Sequence, residues 1–301
     1  MPICQALATP VQNECSSHIH PDLARLCLVR GIQLLSSQQR REILTGTSVP
    51  ETAIRDALGL SRCAVDAIQL DNDTAFTVPL ADVATLRQLE QGILFDNLRM
   101  LGRRIGLTPV EQRILAFRVA FRLDGGLNAL MDGVFPGWTD VSLYHRLARI
   151  LGESESSIEQ ALSPRKVLRS ARLLRINSSL VSDFREKAEL MSGLLNTLIR
   201  PHRSVSSLMA FLLSPVSSGS LTLADFQHLD RVIRVTKAYL DVVAAKRSKG
   251  AHILLYGSPG TGKTELAKAL CVDLWHDSYW VKEVETDNSF RIFKSFTHTL
   301  N

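Results

Sequence analysis

The chain has 301 residues, 45% of them hydrophobic and 22% charged, with a formal net charge of +5. That size holds about two domains with substantial cores, and the composition excludes a low-complexity or disordered polymer. No apolar run approaches the ~18 residues of a membrane span, and Met1-Pro2-Ile3-Cys4-Gln5 lacks the basic start and apolar core of a secretory signal, so a cytoplasmic protein is expected.

Residues 1–21, with prolines at 2, 10 and 21, read as a flexible arm. Cys15, His18 and His20 have no second ligand pair at zinc spacing, so no metal is assigned to them. The cysteines (Cys4, Cys15, Cys27, Cys63, Cys271) are odd in number and form no C-x-x-C pair, which points to reduced thiols. Residues 22–70 read as helical segments broken by Thr45-Gly46-Thr47-Ser48-Val49-Pro50. A long helix is predicted to begin near 80, with Leu94, Leu98, Leu101 and Ile105 as its apolar stripe and Gly106 as its stop. Thr108-Pro109-Val110-Glu111 restarts a helix through a capping box with Pro at the first position. Ile114, Phe117 and Phe121 form its buried face.

After the turn signals Asp124-Gly125-Gly126 and Phe135-Pro136-Gly137, two short helices follow. Thr139 caps the first, with Leu143, Leu147 and Ile150 inside. Gly152 makes the turn, Ser154 caps the second, and Ile158 and Leu162 face inward. This is a helix-turn-helix or winged-helix-like unit, in which residues 155–162 would enter a DNA groove. Glu153, Glu155 and Glu159 oppose that use, because acids repel phosphates. Arg165, Arg169, Arg172 and Arg175, three or four residues apart on a predicted helix from Pro164 to Ile176, could instead track phosphates as a weak nucleic-acid contact. A packing or protein-docking module with a solvated arginine face is the preferred reading. Residues 101–200 carry 15 basic and 10 acidic groups, too mild an excess to decide the matter. His145 reads as a surface residue. Ser178–Arg200 reads as a further amphipathic helix, and residues 214–220 (SPVSSGS) as the linker that divides a helical region, 22–213, from a second domain, 221–301.

In the second domain Thr222 and Asp225 form a capping-box pattern, and Phe226, Leu229, Ile233, Leu240 and Val243 give the helix an apolar face. The helix ends in Lys246-Arg247-Ser248-Lys249-Gly250. The run His252-Ile253-Leu254-Leu255-Tyr256 reads as a short buried strand. It leads into Gly257-Ser258-Pro259-Gly260-Thr261-Gly262-Lys263-Thr264, which matches G-x-x-x-x-G-K-[ST] at every fixed position, and Glu265 to Leu270 continue as a helix. Strand, glycine-rich loop and helix together are the setting of a phosphate-binding loop. Glycines at 257, 260 and 262 permit the turn. Amides of residues 258–264 and the helix N-terminus then attract anions. Lys263 should reach the β- and γ-phosphates of ATP or ADP, the Thr264 hydroxyl should ligate Mg²⁺, and Glu265 closes the candidate set.

Residues 257–270 (GSPGTGKTELAKAL) resemble the AAA+ ATPases, whose loop usually reads GPPGTGKT. Leu221–Tyr256 looks like the lead-in of bacterial members with a long helical N-terminal region. The resemblance implies a mostly α N-terminal region followed by an α/β P-loop ATPase core, ATP and Mg²⁺ as ligands, a homo-oligomeric ring, and hydrolysis coupled to remodelling of a macromolecular, in practice protein, partner. Ser258 departs from the family's Pro. The family's second motif, four apolar residues then Asp-Glu, does not occur in residues 265–301. The stretch Trp280–Glu285 reads instead as the second strand of the core, with Trp275, Tyr279 and Trp280 as packing residues. With 37 residues after Thr264, and no acid to position Mg²⁺ and water, no catalytic residue is assigned and hydrolysis by this chain alone is not expected. Three expectations therefore compete. They are an ATP-binding AAA+ protein, a non-catalytic interaction or DNA-binding helical module with a vestigial loop, and an interrupted gene product whose uncovered sheet end aggregates.

Overall fold

The computed structural model describes residues 21–59, 89–135, 137–211, 213–216, 219–246, 252–274, 278–281 and 296–297. Residues 1–20 of the predicted arm, Cys4 and Cys15 among them, and Cys63, Trp275, Glu283 and Glu285 lie outside these residues, as does the predicted helix start near 80, whereas Pro21 begins a helix. The chain divides into two compact units, Met1–Leu208 and Met209–Asn301.

The first unit is helical. Helices α1 (Pro21–Ile32), α2 (Ser37–Thr45) and α3 (Val49–Leu58) lead into α4 (Ile93–Ile105) and α5 (Pro109–Leu123). Helix α4 starts at Ile93, directly after Gly92, whose φ of 88° is left-handed. The Thr108–Glu111 capping box forms as the local sequence requires, with Glu111 buried. Its second carboxylate oxygen accepts the Leu168 N–H at 3.3 Å. Helix α6 (Gly125–Asn128) continues as a π-helical turn, Ala129–Val134. A methyl group on Gly126 would lie 2.3 Å from the Ala57 Cβ, so this glycine permits the close approach of α6 to α3. Leu23, Leu28, Ile32, Leu94, Leu98, Ile114, Phe117 and Phe121 are buried in the first unit.

Helices α7 (Asp140–Leu151) and α8 (Glu155–Ala161) are joined through Gly152 at φ 68°. Thr139 and Ser154 cap them by accepting the Ser142 and Ser157 N–H groups, each at 3.1 Å. Helix α9 (Val167–Ser170) is a single turn, and strands β1 (Leu174–Ile176) and β2 (Ala188–Leu190) then pair antiparallel, with Arg175 opposite Glu189. Helix α10 (Phe184–Lys187) lies within the connecting loop, and α11 (Leu194–Leu198) and α12 (Val205–Met209) follow. Neither the predicted helix from Pro164 to Ile176 nor the one from Ser178 to Arg200 is therefore continuous. The hairpin pairing of β1 with β2 outweighs the helical periodicity of both segments.

The second unit opens with β3 (Leu213–Pro215), which takes in the first two residues of the 214–220 stretch. A 3-10 segment, Leu223–Leu229, precedes α13 (Asp230–Ala245), and α14 (Lys263–Leu274) follows the glycine-rich loop. Strand β4 (Ser278–Val281) pairs antiparallel with β3 on one side and with β5 (Phe296–Thr297) on the other. Of the stretch Trp280–Glu285 expected as a second core strand, Trp280 and Val281 fall in β4, whose pairing is antiparallel on both sides, and residues 282–285 lie outside the described residues. Phe226, Ile233, Leu266, Ala269 and Leu270 form the unit's buried cluster, with Leu223 and Leu229 against it.

Candidate functional site

The glycine-rich loop joins the irregular segment 252–256 to the N-terminus of α14. Gly257, Gly260 and Gly262 have φ of 148°, 79° and 76°, values that a Cβ would penalise. The Thr261 hydroxyl donates to the Ser258 carbonyl at 2.9 Å and tightens the turn. Lys263 folds back over it. Its Nζ donates to the carbonyls of Gly257 at 3.1 Å and Ser258 at 2.6 Å, and to Thr261 Oγ1 at 3.2 Å. Helix α14 begins at Lys263, and the Leu266 N–H donates to the Gly262 carbonyl at 2.8 Å. The Thr264 side chain is exposed in the first turn. Glu265 is held by Lys268 at 2.7 Å. All nine residues singled out from the sequence, Gly257 to Glu265, thus lie in one loop and one helical turn. A 12-residue helix carries its positive end there, with a cation and free hydroxyl beside it. Those residue types fit a chelated nucleotide phosphate.

The segment before the loop differs from the expected buried strand. Residues 252–257 form neither strand nor helix, and Leu254 and Tyr256 are 83% and 87% exposed. An apolar run becomes a buried strand only when neighbouring strands cover both of its edges and helices its faces. Among the described residues β3, β4 and β5 pair with one another and not with this run.

The lead-in packs beneath the loop. Asp225 accepts the Thr222 N–H at 2.7 Å and hydroxyl at 3.0 Å, and these bonds hold its carboxyl below the usual range. Phe226 follows with φ −110° and ψ 34°, a kink that turns the 3-10 segment and buries the ring. The helix predicted from Thr222 is therefore a 3-10 segment up to Leu229 and α-helical only from Asp230.

The candidate nucleic-acid contact is dispersed. Arg172 sits at φ 56° in the turn between α9 and β1, so the four arginines do not share a helix face. Arg169 donates to the Leu162 carbonyl at 3.3 Å, and Arg175 pairs with Glu189. Arg165 and Arg172 are exposed. The outer face of α8 presents Glu155 and Glu159, with His145 paired to Glu155 at 2.8 Å. The loop between β1 and β2 is tied down along its length. Trp138 and Val181 exchange backbone hydrogen bonds of 2.6 and 3.3 Å. Asp132, in the π-helical turn, accepts the Phe184 N–H at 2.8 Å. Burial raises the Asp132 carboxyl's pKa against the lowering effect of the Phe184 and Arg185 amides. Phe184 packs among Phe117, Phe121 and Trp138. Lys187, fully buried, pairs with Asp140 at 2.7 Å and donates to the Ser179 carbonyl at 3.1 Å. Arg118 lies over the Phe121 and Phe184 rings, donates to the Ala188 carbonyl, and is held below its ordinary pKa by burial. Sequence reading missed these residues because Asp132 and Arg118 act on chain more than 50 positions away. The aromatic pattern around Trp138 was the available signal.

Comparison of the chain with family models, curated proteins and solved structures gives no match. Among the described residues no helix is long and apolar enough to cross a membrane, and no cluster of His, Cys, Asp and Glu forms a metal site.

Proposed function

We propose that residues 257–265 bind the triphosphate of ATP, or the diphosphate of ADP, with Mg²⁺. The supporting observation is the Lys263 ammonium folded onto the Gly257 and Ser258 carbonyls, within a loop of three positive-φ glycines at a helix start. Phosphate oxygens would be met by loop amides and the α14 N-terminus, and Lys263 would extend to the terminal phosphates. Thr264 would contribute a hydroxyl to Mg²⁺, the ion neutralising charge between phosphates. The wider reading is an AAA+ type nucleotide-binding protein that assembles with copies of itself and acts on a macromolecule. It rests on the match of 257–270 and of the lead-in to that family's pattern.

The test is titration of the purified chain with the fluorescent nucleotide mant-ADP in the presence of Mg²⁺. Saturable binding in wild type and its loss in Lys263→Ala are expected. Wild-type protein that shows no binding at millimolar nucleotide rejects the reading.

For the first unit we infer a protein-docking module of winged-helix-like build rather than a DNA reader. What favours this is the anchored β1–β2 loop, which leaves little free chain to enter a groove, and the acidic outer face of α8. Salt-sensitive duplex binding at low ionic strength that Arg165→Glu and Arg172→Glu abolish would reverse the choice.

A further inference from the structure

Phe226 belongs at once to the buried cluster of the second unit and to the wall of the glycine-rich loop. It shares one buried cluster with Ile233, Leu266, Ala269 and Leu270. Its ring also meets Gly262. A methyl group built on Gly262 would lie 3.3 Å from Phe226 Cε1 and 3.9 Å from Cζ. Gly262 stands immediately before Lys263, holds the left-handed φ of 76°, and its carbonyl accepts the first bond of α14, from Leu266. Leu266 is itself a neighbour of Phe226 in the cluster. The ring thus stands against the residue whose carbonyl accepts the first hydrogen bond of the helix, and shares its cluster with the residue that donates it.

The ring's own position is fixed from both sides. Before it, the Thr222–Asp225 box anchors the chain. After it, α13 starts at Asp230 and buries Ile233 in the same cluster. The backbone kinks at Phe226 itself, with φ −110° and ψ 34°.

We propose that Phe226 is a positioning residue for phosphate binding. It acts through Gly262, holding the glycine in its left-handed conformation and so setting where Lys263 and Thr264 begin, without itself touching the nucleotide. This rests on the nucleotide reading above. A smaller side chain leaves Gly262 unsupported, and a glycine without support samples many backbone states. Phosphate contacts made by amides and a lysine then lose alignment, and misplacement of about 1 Å is costly for such sites.

The experiment compares mant-ADP affinity, with Mg²⁺, and melting temperature for the full chain carrying Phe226→Leu, Phe226→Met or Leu270→Ala. Leu270 lies in the same cluster but about two turns further along α14, away from the loop. Phe226→Leu is expected to weaken mant-ADP binding by about tenfold or more, and Phe226→Met, with longer reach, by less. Leu270→Ala is expected to lower the melting temperature at least as much while affinity stays within about twofold of wild type. Affinity that is unchanged in Phe226→Leu, or that falls in step with melting temperature in all three variants, overturns the proposal while the nucleotide reading stands. Wild type that binds no mant-ADP overturns both.

Discussion

Cys27 shows how a single buried group sets a measurable property of the first unit. Its thiol is fully buried, on a helix whose Leu23, Leu26, Leu28 and Val29 are buried too, and burial pushes its pKa up to about 12. Arg30 opposes this shift and Asp124 adds to it. The thiolate is the reactive form, so native Cys27 should resist thiol reagents until the unit opens. The linkage follows from the direction. In the unfolded chain the thiol ionises near its ordinary value of 9.0, whereas in the folded chain it keeps its proton to about 12. The folded state then binds more protons between those values, and stability falls as pH rises, by up to about 1.4 kcal/mol per pH unit. Urea unfolding at pH 8, 9.5 and 10.5 should show this loss in wild type and a flatter profile in Cys27→Ala. Parallel profiles would mean that another group carries the alkaline response. Arg113 illustrates the opposite outcome of burial. Desolvation works against its charge, but the Glu90 carboxylate at 2.6 Å and that of Glu153 outweigh it and raise its pKa.

At the level of elements, the β1–β2 hairpin depends on side chains from other parts of the first unit. Lys187 is the sharpest case, because its ammonium is wholly buried and Asp140 is its counterion, with a side chain 38% exposed. Removing the acid leaves a buried cation unpaired, whereas removing the lysine leaves a carboxylate that water can reach. Asp140→Asn should therefore destabilise the protein by about 3 kcal/mol, and Lys187→Met by about 1 kcal/mol. Chemical denaturation of the two variants checks the order, and equal or reversed losses would show that the pair is not what holds the loop. The same element marks the limit of sequence reading. The caps at Thr108, Thr139, Ser154 and Thr222 were legible because cap and amide sit three residues apart, as were the apolar stripes of α4, α5, α7 and α8. The glycine-rich loop was legible for the same reason, its residues being contiguous. Residues 178–200 carried helical periodicity too, but their partners, Asp132, Trp138, Asp140 and Arg118, lie far upstream and draw the segment into a hairpin. The run 252–256 misled in the opposite way. Its apolar residues were sufficient for a buried strand, but burial requires neighbours that the segment itself does not encode, and Leu254 and Tyr256 remain exposed.

On the scale of the whole molecule, each of the two units has its own core. In the first it is built on α1 and α5, and in the second on Phe226, Ile233, Leu266, Ala269 and Leu270. The proposed site draws every residue from the second unit, including its brace at Phe226. That unit also carries much exposed apolar surface. Val232, Val235, Tyr239 and Val242 form a stripe on α13, and Ile253, Leu254 and Tyr256 lie before the loop. A small core with such exposure should open more readily than the first unit's. A ligand that binds only the closed form of one unit stabilises that form by RT ln(1 + [L]/Kd), about 2.7 kcal/mol at a hundredfold excess over Kd. Only openings that destroy the site feel this gain. Hydrogen exchange with Mg²⁺ and ADP at saturation should therefore slow amides in 222–245 and 257–274 by up to about a hundredfold, and leave those of α1, α5 and α7 at their free rates. Equal slowing in both units would show that they open together and that nucleotide occupancy is transmitted to the helical region. That is the behaviour required if nucleotide binding is to act on the proposed docking module. Slowing confined to the second unit means that the two units open independently, and slowing in neither removes the nucleotide from the account.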